Sequence, residues 1–182
     1  MKPESFFEIE LKSLLNKNQY ERLYQELPQK FKIINKEKLF TTRFRPGDIR
    51  LRYSDKTWEI VCKEGNPCQI SRKEVKIPLQ SKEHIKYFEE AFLLSKMKPD
   101  PTWEKDKIEF IYPLNGFQYI ICLQHIHNFA YILEVEYLSQ SNDIIIHEPN
   151  LRKIFVELNC QPINPKEFSE KINEYIKLNS KK

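Results

Sequence analysis

The sequence of 182 residues has few of the features that mark membrane-bound or disulfide-stabilised proteins. No apolar run approaches the ~20 residues that a membrane-spanning helix needs, so neither a spanning segment nor a membrane partner is expected. The four cysteines form no CxxC pair, and the N-terminus has no apolar core like that of a signal peptide. These two absences predict a reducing compartment, the cytoplasm. Glycine occurs only three times, each time between strand-like segments, and predicts turns there.

Charge of one sign is not in large excess either. Thirty basic residues oppose twenty-six acidic residues, and a net charge of +4 is too small to argue for a nucleic-acid partner. Arginine is scarce beside lysine, yet five of the seven arginines lie between positions 43 and 72. Because a guanidinium group binds phosphate or carboxylate with a fixed fork of donors, this cluster indicates an oxyanion ligand.

Length and composition predict one domain over residues 1–182, because 40% hydrophobic and 13% aromatic residues suffice for one core. Apolar periodicity predicts strands at 5–11, 39–45, 48–53, 57–63, 69–78, 103–112, 117–125 and 130–138. It predicts helices at 16–27, ended by Pro28; at 81–95, capped by Ser81; from Pro149 to Cys160; and from Pro165 onward. The predicted fold class is therefore α+β.

Charged residues alternate with apolar residues along most of the predicted strands. Since side chains two residues apart share a face, one face of the sheet is charged and the other apolar. Carboxylates concentrate on the first and last strands, at Glu8, Glu10, Glu134 and Glu136, whereas arginine and lysine concentrate on the strands between. A closed sheet would bring the acidic strands together, where their repulsion favours a bound cation. Oxygen ligands suit Mg²⁺ or Mn²⁺, and the basic strands would then hold phosphate.

Other interpretations of these residues stay open. A charged strand face is usually exposed to water while the apolar face covers a core. Arg43 and Arg45 precede a Pro-Gly pair and fit either a basic wall or an exposed rim. His125 and His127 share a strand face, as zinc ligands could, but no cysteine or third histidine has suitable spacing. A structural role is favoured for this histidine pair.

Five motifs, in order along the chain, resemble those of the CYTH family, the triphosphate tunnel metalloenzymes. They are Glu8-Ile-Glu10-Leu-Lys12 (ExExK), Arg50-Leu-Arg52 with Lys63 (LRxR and its lysine-bearing partner), Ser71-Arg72-Lys73-Glu74 (SREE), Lys105-Asp-Lys107 (KxRxxY) and Glu134-Val-Glu136 (ExE). The similarity covers about residues 5–178. Lys107 stands where the family usually has arginine, Phe110 replaces tyrosine, and Ala130 stands where a glycine often precedes the last strand.

The resemblance implies a closed eight-stranded antiparallel β-barrel with flanking helices, whose charged faces point inward and bind a triphosphate with divalent ions. It implies that the ligands of Mg²⁺ or Mn²⁺ are Glu8, Glu10, Glu134 and Glu136. It implies that the phosphates are bound by Lys12, Arg50, Arg52, Lys63, Arg72, Lys73, Lys105 and Lys107. Lys12, Glu10 and Glu136 are the residues expected to act in catalysis. The facing of Lys73 and Lys105 depends on β-bulges.

The first function that these expectations support is metal-dependent hydrolysis of inorganic tripolyphosphate or of an organic triphosphate. The second is binding of a nucleotide or polyphosphate without turnover, because Lys107 keeps the charge of arginine but not its bidentate geometry. An RNA 5′-triphosphatase and a class IV adenylate cyclase are further alternatives. The small net charge gives the former little support, and the His-containing segment of such cyclases is not apparent. The expected partner is a small triphosphate or polyphosphate, and the oligomeric state is left open.

Overall fold

The computed structural model describes residues 2–66 and 68–179, which form nine strands and four helices. The strands are β1 (Glu4–Leu15), β2 (Lys32–Arg45), β3 (Ile49–Tyr53), β4 (Trp58–Lys63), β5 (Ser71–Pro78), β6 (Lys98–Pro99), β7 (Trp103–Leu114), β8 (Phe117–Ile126) and β9 (Ala130–Ser139). The helices are α1 (Lys17–Lys30), α2 (Glu83–Leu94), α3 (Ile144–Glu157) and α4 (Pro165–Asn179). Within these residues, no helix combines the length and apolar character needed to span a membrane.

Eight of the strands close into an antiparallel barrel. Their order around the wall is β1, β9, β8, β7, β2, β3, β4, β5 and back to β1. The ring closes because β2 pairs with both β3 and β7. The two-residue strand β6, which the sequence pattern does not predict, adds to β2 outside this ring. The predicted α+β class, with a closed eight-stranded antiparallel barrel and flanking helices, is confirmed.

The hydrophobic core lies outside the barrel, between its wall and the helices. α1 and α3 cover the outward apolar side chains of β1, β7, β8 and β9 with residues such as Leu23 and Leu151. α2 covers β3 and β4, with Ile85 in that contact. α4 covers one end of the barrel, where Phe168 packs with Ile126. Because the apolar faces point outward, the alternate side chains, many of them charged, point into the barrel.

Two prolines lie inside helices, where the sequence pattern places helix ends. The predictions that Pro28 ends α1 and that Pro149 begins α3 are wrong, because α1 continues past Pro28 and α3 begins at Ile144. α3 also ends at Glu157, before the predicted boundary. A proline removes one helical N–H, but burial of Leu27 and other apolar side chains against the barrel offsets this loss.

The helix starts differ in how well local signals describe them. Asn16 caps α1 through a reciprocal capping box with Gln19, as its residue type favours. The prediction that Ser81 caps α2 is wrong. This helix begins at Glu83 after Lys82, which makes no side-chain capping hydrogen bond.

Strand β2 begins at Lys32, well before the predicted start at Leu39. The added segment is polar and has no clear strand pattern, but it pairs with β7 along its length. The turn between β7 and β8 is as predicted. Asn115 and Gly116 both have positive φ, 52° and 79°, which the tight Asn-Gly hairpin turn requires.

Candidate active site in the barrel

Four carboxylates meet on the inner face of two adjacent strands. β1 pairs with β9 so that Glu10 lies opposite Glu136 and Lys12 lies opposite Glu134. One carboxylate oxygen from each of Glu8, Glu10, Glu134 and Glu136 lies within 4.8 Å of the others. The structure thus brings together all four of the residues for which metal binding is predicted.

Burial and mutual repulsion shift the pKa of one member of the acidic cluster. Burial raises the pKa of Glu136 to about 8, Lys107 opposes this rise, and the nearby charges of Glu8 and Glu134 add to it. Burial also disfavours ionisation of Glu134, but Lys12 holds its pKa well below the usual range. The Glu136 carboxyl therefore keeps its proton to a higher pH than an ordinary glutamate does. A set of four hard oxygen donors under mutual repulsion fits a divalent cation, which could bind here.

Basic side chains line the rest of the cavity inside the barrel, whose volume is about 190 Å³. Nine basic and five acidic side chains face this space. The basic ones are Lys12, Arg43, Arg50, Arg52, Lys63, Arg72, Lys76, Lys105 and Lys107. The excess of positive charge, focused in a concave site, suits a polyanionic ligand.

Asp48 orients two of the arginines, and sequence reasoning missed it. Its Oδ1 accepts a hydrogen bond from Arg50 Nε at 2.7 Å, and its Oδ2 accepts from Arg50 Nη2 and Arg72 Nη1, both at 2.8 Å. Burial works against ionisation of Asp48, but the two guanidinium groups hold its pKa well below the usual range. The sequence could have indicated Asp48, because it lies two residues before Arg50 and a strand would place both side chains on one face.

Lys63 and Lys12 connect the basic wall with the acidic cluster. Lys63 Nζ donates a hydrogen bond to Glu8 and lies 2.8 Å from Glu74, a buried carboxylate to which the sequence assigned no role. Lys12 Nζ lies 2.5 Å from Glu10 and 3.4 Å from Glu134. Predicted metal ligands and predicted phosphate ligands therefore neutralise one another in this structure.

Strand β7 contributes two further lysines to the cavity. Lys105 Nζ donates to Gln124 at 2.9 Å, and the amide of Gln124 in turn donates to Glu134 at 2.6 Å. Lys107 Nζ lies 2.5 Å from Glu109. Burial, followed by the positive charge of Lys107, lowers the pKa of Lys105 to about 7. Lys105 is thus a group whose charge depends on pH near neutrality.

Lys73 is the one predicted phosphate ligand that the structure does not bring to the cavity. Its neighbours along β5, Arg72 and Glu74, are buried, whereas Lys73 is exposed. The pairing of β5 with β1 runs without a shift in register past this point, so strand alternation turns Lys73 outward. Its prediction as a phosphate ligand is corrected accordingly.

Arg43 and Arg45, which the sequence leaves between the basic wall and the rim, take different positions in the structure. Arg43 lines the cavity and Arg45 is 43% exposed, although both form ion pairs with Asp100. Arg45 also donates to Asn173 of α4 at 3.3 Å. Arg43 therefore belongs to the basic wall and Arg45 to the rim.

Several solved structures share the fold of this closed barrel. The PH1819 protein from Pyrococcus horikoshii OT3 matches with a TM-score of 0.69 and 20% identity over 92% of this chain and 99% of that one. HpAC1 from Hippeastrum is described as a candidate adenylyl cyclase with a dominant triphosphatase activity. It matches with a TM-score of 0.56 and 11% identity over 87% of this chain and 90% of that one.

A third solved structure, from a yeast protein assembly, also has this fold. The Mediator head module of Schizosaccharomyces pombe matches with a TM-score of 0.59 and 13% identity over 86% of this chain and 97% of that one. No protein-family model and no curated protein matches the sequence. The resemblance stated from the five motifs is confirmed at the level of the fold.

Proposed function

We propose that this protein is a metal-dependent triphosphatase of the triphosphate tunnel family, which hydrolyses inorganic tripolyphosphate or an organic triphosphate inside the barrel. One observation carries the proposal: four carboxylates whose oxygens lie within 4.8 Å share the barrel cavity with nine basic side chains of the described residues. Phosphoryl transfer needs both a site for a divalent ion and donors that hold the phosphates in place. The two sets stand side by side on the inner wall.

Each group of residues has a distinct proposed part. The ligands of Mg²⁺ or Mn²⁺ are Glu8, Glu10, Glu134 and Glu136, and the ion, when bound, offsets charge on phosphate oxygens. The phosphates are held by Lys12, Arg50, Arg52, Lys63, Arg72, Lys105 and Lys107. Asp48 fixes the guanidinium planes of Arg50 and Arg72, so their donors are oriented before substrate enters.

The lining near α4 favours an organic group on the triphosphate. This part of the cavity wall is formed by Trp103, Ile126, Ile132, Ile163, Phe168 and Ile172. Apolar and aromatic side chains stabilise an organic group but contribute nothing to inorganic tripolyphosphate. A panel of tripolyphosphate, thiamine triphosphate, ATP and pyrophosphate, each with Mg²⁺ and Mn²⁺, tests this. An organic triphosphate is expected to have the highest kcat/KM.

The test of hydrolysis is phosphate release by the purified protein with and without divalent metal. Glu10→Gln removes a proposed metal ligand at nearly constant volume, and we expect its rate to fall by about 100-fold or more. Lys73→Gln removes a charge from the outer face of β5 and serves as the matched control, with unchanged activity. Full turnover in excess chelator would contradict metal dependence, and an active Glu10→Gln variant would contradict the assigned site.

Binding without turnover is the second candidate. It is favoured by Lys107, which cannot make the bidentate contact of an arginine, and by a fold that the Mediator head module also has. Calorimetry that shows tight triphosphate binding with no product over hours would support it. Cyclic AMP formed from ATP would indicate a cyclase instead. Competition by triphosphate-ended but not monophosphate-ended RNA would indicate an RNA 5′-triphosphatase.

A further inference from the structure

Three side chains of metal-binding type meet on the outer face of the barrel. Asp106 of β7 and His125 of β8 are cross-strand partners, and His127 follows two residues after His125. Asp106 Oδ2 lies 2.8 Å from His127 Nε2 and 4.0 Å from His125 Nδ1. One ligand atom from each of the three residues lies within 4.8 Å of the others. Lys105 and Gln124, one residue away on each strand, point into the cavity, so the wall separates the two sites.

Glu104 lies behind this cluster and fixes the orientation of His127. Its Oε1 lies 3.3 Å from His127 Nδ1, and the backbone N–H of His127 donates to its carbonyl oxygen at 2.9 Å. Lys38 holds the same carboxylate at 2.8 Å. A carboxylate at one ring nitrogen directs the other nitrogen, here Nε2, towards Asp106. Histidines that bind metal commonly have such a partner on the nitrogen that does not bind the ion.

The cluster is open to solvent and yet ordered by its neighbours. The side chains of Asp106, His125 and His127 are 48%, 35% and 29% exposed, so an ion can reach them. Tyr131 stacks on the ring of His125 with centroids 4.5 Å apart, and Tyr20 of α1 lies beside it at 6.2 Å. These aromatic contacts limit the rotation of His125 and keep it facing the other two ligands.

We propose that Asp106, His125 and His127 bind a transition-metal ion of the zinc type on the outer face of the barrel, with Glu104 as the partner of His127. Two imidazoles and one carboxylate suit Zn²⁺, Co²⁺, Ni²⁺ or Cu²⁺, whereas Mg²⁺ prefers oxygen donors. The third ligand escaped sequence reasoning because it is a carboxylate on a neighbouring strand. The ion would tie β7 to the start of the β8–β9 turn, and its binding does not depend on the proposed triphosphatase activity.

Tetrahedral coordination of zinc requires the distances between the three donor atoms to change. Metal–ligand bonds of about 2.0 to 2.2 Å in a tetrahedral site require donor atoms roughly 3.4 Å apart. The 2.8 Å contact of Asp106 with His127 must therefore open, and the longer separations must close by about 1 Å. Because all three side chains are partly exposed, we expect small rotations, within the limits that the stack on Tyr131 sets for His125, to supply these changes.

The experiment is titration of the untagged full chain with ZnCl₂ by calorimetry and with CoCl₂ by visible absorption. In the Glu10→Gln variant, whose proposed cavity metal site is disabled, we expect one zinc equivalent to remain, and the further substitutions are made in that background. The double variant His125→Asn/His127→Asn is expected to bind zinc at least about 100-fold more weakly and to lose the cobalt band. Glu104→Gln is expected to weaken binding about 10- to 100-fold. His84→Asn, which removes a histidine of α2, is the matched control and should leave binding unchanged.

Two results would overturn the proposal. One is that the histidine substitutions leave the zinc affinity of Glu10→Gln unchanged, and the other is that Glu10→Gln binds no zinc at excess metal. Asp106→Asn decides the matter if the double variant fails to fold, since zinc affinity unchanged in that variant also overturns it. Folding of each variant is checked by its thermal unfolding in chelator and by its retained binding of tripolyphosphate.

Discussion

Asp48 shows, at the scale of one residue, how an unremarked carboxylate can position a binding site. It bonds Arg50 with two hydrogen bonds and Arg72 with one, and its side chain is only 5% exposed. Removing one member of a buried charged set leaves its partners without compensation, which costs more than the set itself contributes. Asp48 is therefore expected to matter for stability and for the geometry of both arginines.

We predict that Asp48→Asn lowers the free energy of unfolding by about 3 kcal/mol at pH 7. Because the folded-state pKa of Asp48 lies below its unfolded value, its contribution is fully present above the unfolded value and is lost as pH falls through the folded one. Urea unfolding of both proteins at pH 7, 4 and 3 measures this. The difference between them should shrink with acidity, and a difference that is constant with pH would contradict the ion-pair role.

Lys105 is predicted to make triphosphate affinity depend on pH near neutrality. Burial and the charge of Lys107 lower its pKa to about 7, and a bound phosphate favours the charged form. Affinity for tripolyphosphate in chelator should therefore fall as pH rises above 7. Lys105→Arg stays charged and provides the control that separates this effect from ionisation of the ligand. Equal pH profiles for the two proteins would show that Lys105 does not contact phosphate.

Strand alternation on β5 gives a prediction at the scale of one element. Arg72 and Lys73 are adjacent in sequence but lie on opposite faces of the wall. A charge-assisted hydrogen bond is worth about 1.5 to 3 kcal/mol, so Arg72→Gln should weaken tripolyphosphate binding by about 10- to 100-fold. Lys73→Gln should leave it unchanged. Calorimetry measures the affinity of both variants for tripolyphosphate. Equal losses of affinity would contradict the assignment of Arg72 to the inner face and Lys73 to the outer face.

Elements also show where sequence signals stop being sufficient. The alternating strands and the Asn115-Gly116 turn were predicted because these signals act between residues close in the chain. Pro28 and Pro149 were misread as helix boundaries because burial against the barrel outweighs the loss of one hydrogen bond. The early part of β2 was missed because its strand character comes from pairing with β7. In each case a contact distant in sequence overrode the local preference.

The whole molecule reverses the usual distribution of polar and apolar residues in a small barrel. Small barrels are commonly filled by side chains that pack together, whereas here the apolar faces point outward to α1, α2 and α3 and the interior is charged. Such an interior keeps an excess of basic side chains close together, and a ligand of opposite charge offsets their repulsion. The binding cavity therefore requires the helices, since without them the outer apolar faces would be exposed to water.

A ligand that matches the charge of the cavity should stabilise the whole fold. In chelator, tripolyphosphate at 100 times its Kd is predicted to raise the free energy of unfolding by about 2.7 kcal/mol. Calorimetric unfolding at increasing tripolyphosphate measures the effect as a rise in Tm. The Kd itself should increase with added salt, because screening weakens attraction to the basic wall. A Tm that does not respond to tripolyphosphate would contradict the binding cavity.

The sequence alone determined the alternation of charge and apolarity and hence the α+β class, because alternation depends on the identity and spacing of nearby residues. The closed barrel was an implication of the resemblance that the five ordered motifs carry. One domain over residues 1–182 and a cytoplasmic location stay predictions. Only the tertiary structure decided which side of the wall each charge occupies, and it turned Lys73 outward. It also placed Asp48 between two arginines and Asp106 beside the His125 and His127 pair. Register and closure of the sheet set these neighbours, and both arise from pairing between strands far apart in the chain.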